Sequence, residues 1–137
     1  MNIFEVLFGS QGRLGRMAFV GYSIVNLAVM VALTLAAANL WQSGAGPHAL
    51  LGVLIAIAAL FGALWSGLAL TIKRLHDMGF SGLHVIWILP LEVASKGMGP
   101  AMDSPTLATL LSVITAAIGL GLLLVPGEDR DNRYGPV

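Results

Sequence analysis

Three stretches of this chain, Met17 to Leu40, Ala49 to Ile72 and Leu107 to Val125, contain no charged residue and are apolar almost throughout. Each reaches the roughly 20 residues that a helix needs to cross a hydrocarbon core of about 30 Å. Inside a bilayer no water is available for backbone N–H and C=O groups, so segments of this kind have to satisfy them internally, as helices. A soluble fold has no way to hide them: with 57% hydrophobic and 10% charged residues in 137 positions, too little polar material remains to coat a core. The expected class is an all-α polytopic membrane protein, a single integral domain over residues 1–137.

The first run follows Arg13 and Arg16 and ends near Ala36-Ala37-Ala38, which invites a signal-peptide reading. A secretory apolar region is about 7–15 residues, however, and this one is longer and starts after a partly apolar leader. A retained anchor is the expectation. In that leader Ile3, Phe4, Leu7 and Phe8 recur at helical spacing, with Glu5 among them and a Gly9-Ser10-Gln11-Gly12 break behind. The pattern suits a short interfacial helix, or else a packing segment under the helix ends.

Trp41 closes the first span at a position suited to the headgroup level, and the link Gln42 to His48 carries Gly44, Gly46 and Pro47 as breakers. A further candidate, Phe80 to Ala94, holds His84, Pro90 and Glu92 and would reach only about 22 Å as a helix. It reads as a short span or a re-entrant segment. Ser95 to Thr106, with two glycines and two prolines, reads as a loop. The expected spans are therefore about 17–40, 49–72, 80–94 and 107–125.

Positive charge decides whether the third segment crosses. With four crossings and a cytoplasmic N-terminus, the inside holds Arg13, Arg16, Lys73, Arg74, Arg130 and Arg133, and the outside only Lys96. With three, Arg130 and Arg133 move out and Lys96 moves in, a poorer partition. The reading is a multi-pass protein of a bacterial inner membrane with both termini cytoplasmic.

Helices in lipid associate through small residues and interhelical hydrogen bonds. Gly52, Ala56, Ala59, Ala63 and Ser66 share one face of the second span; Ser112, Thr115, Ala116 and Gly119 do so in the last, and Gly21, Asn26 and Thr34 lie in the first. These are ordinary packing residues before they are a permeation path. Glu92 is the one carboxylate placed to enter the membrane, and a headgroup-level position beyond the Pro90 kink is the preferred account of it.

The polar residues concentrate in three stretches, GRLGR at Gly12 to Arg16, KRLHDMGFSG at Lys73 to Gly82 and PGEDRDNRYG at Pro126 to Gly135. In the four-span topology all three face the cytoplasm. On these motifs, which run over nearly the whole chain, the sequence resembles the small bacterial inner-membrane proteins grouped as the domain of unknown function numbered 805. Gly12, Arg13 and Arg16 match that family's first motif; Arg74, Leu75, His76, Asp77 and Ser81 match its second; Pro126, Gly127, Asn132, Arg133, Tyr134 and Gly135 match its third. The aromatic pair usual after the serine is replaced by Leu83 and His84, and the second glycine of the tail motif by Arg130. The resemblance implies a membrane protein without an established activity.

His76 beside Asp77 suggests a general base with its orienting carboxylate, yet no nucleophile has a recognisable motif and catalysis is not expected. His76, Asp77, Glu128, Asp129 and Asp131 have no metal-ligand spacing, and the chain has no cysteine. No cofactor and no nucleic-acid partner are expected, the formal net charge being zero. Two readings of the cap remain. Arg13, Arg16, Arg74, His76, Asp77, Asn132, Arg133 and Tyr134 form either an internal polar lock or a site for anionic lipid headgroups or a partner, since arginine's fork suits phosphate. The resulting expectation is a scaffold or accessory binding protein, associated with membrane lipids and with a membrane-protein partner or further copies of itself. The alternative is a small oligomeric transporter or channel.

Overall fold

The structure, a computed structural model, describes residues 2–44, 46–95 and 105–136. Every regular element among them is helical: α1 (Ile3–Phe8), α2 (Arg16–Gln42), α3 (Pro47–Asp77), a 3-10 turn (Gly82–His84), α4 (Val85–Val93) and α5 (Pro105–Leu124). α2, α3 and α5 are long and apolar enough to cross a membrane. α4 with its preceding turn, Gly82–Val93, is apolar but shorter. It corresponds to the short third segment, opened by a 3-10 turn and carrying Pro90 within the helix, where the ring removes one i→i−4 hydrogen bond. The loop expected at Ser95 to Thr106 lies mostly outside the described residues, as does Lys96.

The helix boundaries follow local chemistry. Proline, whose missing N–H is no loss in a first turn, opens both α3 and α5. The charged run Lys73 to Asp77 continues α3 without interruption, and the helix then stops in a Schellman arrangement: Phe80 N–H reaches Leu75 O at 2.9 Å and Gly79 N–H reaches His76 O at 3.1 Å. Gly79 sits at φ +79°, a left-handed conformation that costs a glycine nothing.

The residues pack as two compact units, Met1–Gly9 with Val20–Leu70, and Ser10–Phe19 with Thr71–Val137. In the first, α1 begins with a capping box in which Asn2 and Glu5 exchange side-chain and backbone hydrogen bonds. Its far end is held by Trp65 Nε1–H, which donates to Phe8 O at 2.9 Å. Ile3, Phe4 and Phe8 remain exposed while Val6 is buried.

α2 and α3 meet along small residues, but not along the whole expected stripe. Gly52, Ala59 and Ser66 are buried at a spacing of seven, Ala63 is half-buried, and Ala56 is exposed. A spacing of seven keeps a seam in register with a crossing helix. Asn26 bridges the pair by donating from Nδ2 to Ala63 O at 3.3 Å. Gly21 has open space beside it, and Thr34 hydrogen-bonds only to Met30 O of its own helix, so of the three residues expected to join span one to a neighbour, Asn26 alone does.

Gly52 marks the closest approach, because a Cβ there would lie 2.8 Å from Ala37 O and 3.2 Å from Trp41 N. Gly52→Leu is expected to destabilise the protein by about 1–3 kcal/mol through overpacking. Gly62→Leu, which meets open space, serves as the control, and thermal unfolding in detergent reads both.

In the second unit, Ser112 and Thr115 return their hydroxyls to Ala108 O and Leu111 O of α5. Both also meet Ser95 Oγ, at 3.4 and 3.3 Å. These hydroxyls join the chain after α4 to α5, as interhelical hydrogen bonds do in lipid.

Candidate functional site: a polar cap centred on Asp77

Asp77 is the last residue of α3, and two guanidinium groups converge on it. Arg74, one turn earlier, places NH1 2.5 Å from Oδ2; Arg13 places Nε 3.3 Å and NH2 3.2 Å from Oδ1. The arginine side chains are 0% and 6% exposed and that of Asp77 12%. Two buried cations therefore face one carboxylate, and the remaining positive charge needs another counterpart.

Backbone carbonyls supply it. Arg74 donates from Nε to Leu122 O at 2.7 Å and from NH2 to Val125 O, and Arg16 donates from NH1 to Leu124 O at 3.2 Å. These are among the last carbonyls of α5 and its exit, which have no acceptor role left inside the helix and carry the negative end of its dipole. No basic residue occupies the last turn of α5 itself, so its cap comes from residues distant in sequence. Arg13 treats the tail in the same way, donating from NH1 to Arg130 O at 2.8 Å and from NH2 to Glu128 O at 2.5 Å. A planar fork with five N–H donors can fan out over so many oxygens; a lysine ammonium cannot.

Carbonyls in the last turns of α3 accept from both flanking motifs. Lys73 O accepts from Leu14 N–H at 3.1 Å and Asp77 O from Glu128 N–H at 2.8 Å. His76 O accepts from Asn132 Nδ2 at 3.0 Å. Asn132 also donates to Glu128 Oε2 and receives Tyr134 N–H on Oδ1, both at 2.9 Å. That shapes the tight turn closed by the Asn132–Gly135 bridge and sets Tyr134 flat on the His76 ring, 3.7 Å between centroids at 6°. His76 Nδ1–H donates to Gly12 O at 3.2 Å.

Gly127 completes the closure. A Cβ on it would overlap the Asp77 carboxylate, so the tail passes Asp77 closely enough for Glu128 N–H to reach its backbone only because no side chain intervenes.

A family profile for proteins of unknown function, DUF805, matches residues 7–136. The chain belongs to the DUF805 family. No curated protein and no solved structure gives a match.

The DUF805 motif residues singled out from sequence thus fall into two groups. Arg13, Arg74, His76, Asp77, Asn132 and Tyr134 form one hydrogen-bonded and stacked network. Arg16 and Arg133 stand at its edge and are exposed, Arg16 touching Leu124 O and Arg133 lying over the Tyr134 ring at 4.8 Å. Ser81 caps the 3-10 turn by accepting Leu83 N–H at 3.3 Å. His76 does not engage Asp77: its ring is held by Gly12 O and Tyr134, and the carboxylate by the two arginines. That geometry lacks the contact between base and carboxylate that a catalytic pair requires.

Sequence reasoning named Gly127 as a motif match without giving it a role, and it missed Leu14, which is buried at 4% exposure, and the α5 carbonyls. One signal was present for the last of these. A helix ending at proline with no cation in its final turn needs an external cap, and the arginines of the other two motifs were the candidates.

Proposed function

We propose that this DUF805 protein is an integral protein of a bacterial inner membrane, with both termini cytoplasmic and four crossings, acting as a scaffold or accessory binding protein without catalytic activity. Its cytoplasmic cap locks the C-terminal tail in place and presents arginines to anionic lipid headgroups or to an acidic surface of a membrane partner.

One observation carries the reading: Arg13 and Arg74 both contact Asp77, and Arg13 also holds the tail carbonyls of Glu128, Arg130 and Gly135. Groups in contact lie on one side of a membrane. Arg13 precedes α2 and Arg74 ends α3, in keeping with one crossing each. The tail follows α5, so a second crossing between Asp77 and α5 is needed to bring it back, and the segment containing α4 is the one available. The same arrangement gathers Arg13, Arg16, Lys73, Arg74, Arg130 and Arg133 on one face, as the positive-inside rule favours for a cytoplasmic side.

The cap divides its cations by role. Arg13 and Arg74 are buried and engaged with protein oxygens, which supports the lock. Arg16, Arg130 and Arg133 are exposed and are the groups available to phosphate, where juxtamembrane cations gain from an anionic leaflet.

The test is native mass spectrometry of the detergent-purified full chain with anionic lipid supplied. The Arg16→Gln, Arg130→Gln, Arg133→Gln triple variant is expected to keep its thermal unfolding temperature and lose bound anionic lipid. Unchanged lipid retention in that variant sinks the headgroup role. Because the natural chain has no cysteine, the topology is checked with single-cysteine variants at Ser43 and Asp129 and a membrane-impermeant maleimide. Labelling of both from the same side of right-side-out vesicles contradicts it.

A further inference from the structure

The second unit contains an apolar groove of about 210 Å³ whose walls include Leu75 at the end of α3, Ile88 of α4, and Ile118 and Gly121 of α5. Trp87 and His84 line it as well. Resting on the headgroup reading above, we propose that this groove holds an acyl chain of an anionic phospholipid whose phosphate is met by Arg16.

Three features point to that occupant. The groove lies between helix segments whose outward side chains, Ile86 and Trp87 of α4 and Leu120 of α5, are themselves apolar and exposed, so its surroundings in a membrane are lipid. Gly121 opens it, since nothing stands within 4 Å of where its Cβ would be. Trp87 is 52% exposed, and its Nε1–H donates to His84 Nδ1 at 3.0 Å. The indole is thereby pinned beside the groove, and with Nδ1 engaged as the acceptor the Nε2 side of the His84 ring is left to face an ester carbonyl. Trp and His with one apolar and one polar end suit the headgroup boundary.

Arg16, at the start of α2, reaches the end of the groove's own helix α5. Arg16 hydrogen-bonds Leu124 O, three residues beyond Gly121, about 4.5 Å of helical rise. That bond uses NH1 alone, and the exposed guanidinium retains N–H groups to offer a phosphate. A chain in the groove and a phosphate at Arg16 therefore fit one lipid molecule.

Two glycines of α5 make a controlled test. Both Gly119 and Gly121 accept a Cβ into open space, but they are two residues apart and so face nearly opposite ways on the helix, and only Gly121 lines the groove. Full-length wild type, Gly119→Leu, Gly121→Leu, the smaller Gly121→Val, and Arg16→Gln are purified in detergent. Each is checked for folding by thermal unfolding and given phosphatidylglycerol or phosphatidylcholine before native mass spectrometry.

The proposal expects wild type and Gly119→Leu to retain phosphatidylglycerol in preference to phosphatidylcholine, both Gly121 variants to lose it, and Arg16→Gln to lose the preference. Retention at wild-type level by folded Gly121→Leu and Gly121→Val, with loss in Arg16→Gln, overturns the groove and leaves the headgroup reading standing. Equal retention of the two lipids by wild type, both lost in Gly121→Leu, overturns the Arg16 contact and the headgroup reading together. Absence of bound lipid in wild type overturns everything proposed for this groove.

Discussion

Asp77→Asn is expected to destabilise the protein by about 3–5 kcal/mol, the cost typical of removing one partner from a buried charge pair and leaving the other uncompensated. Here two cations lose their counterion at once. Arg74 is fully buried and Arg13 nearly so, and neither can turn to water without releasing the α5 or tail carbonyls it holds. The amide keeps the shape of the carboxylate and an acceptor oxygen, so the loss reads out charge and not packing. Asp129, an exposed carboxylate, is the comparison: Asp129→Asn is expected to stay within about 0.5 kcal/mol of wild type. Thermal unfolding in detergent measures the difference, and trypsin cleavage after Arg130 and Arg133 shows where it falls, because the tail should open first. Equal unfolding temperatures for the two variants would contradict a lock centred on Asp77.

Gly127→Ala is expected to act on the same lock from the other side. Its methyl group would occupy the volume of the Asp77 carboxylate, so either the tail moves away, breaking the Glu128 N–H to Asp77 O bond, or Asp77 turns and abandons one arginine. Overpacking of this kind costs about 1–3 kcal/mol, and hydrogen exchange at Glu128 N–H should accelerate. The sharper expectation is in the double variant. Against Asp77→Ala, which removes the colliding atoms, Gly127→Ala should add little further cost. The two substitutions would then be strongly non-additive, as residues in direct contact are. Additive losses would show that Gly127 is required for some reason other than its closeness to Asp77.

Much of the cap was legible at the level of which residues belong to it. Six of the eight residues named from the motifs meet in one network, because arginines, an aspartate, a histidine and an asparagine beside apolar spans have few places to go except a common polar surface. Their separate tasks were not legible. Nothing local distinguishes Arg13, which reaches Gly135 O across 122 positions of sequence, from Arg16, which stays at the edge. The difference depends on where the tail returns. The same holds for the small-residue stripe of α3: helical periodicity placed Ala56 and Ala59 together, and only the path of α2 left Ala56 exposed while Gly52, Ala59 and Ser66 were covered.

By itself the sequence determined the class of the protein and the position of its polar caps. The length of a charge-free apolar run and the placement of cations beside it are local quantities, and a bilayer acts on them segment by segment. Tertiary structure alone decided which carbonyls the arginines satisfy, why residue 127 has to be glycine, and that a groove opens at Gly121. Those outcomes arise where segments far apart in the chain close upon one another, and burial, charge compensation and close approach exist only once they have done so.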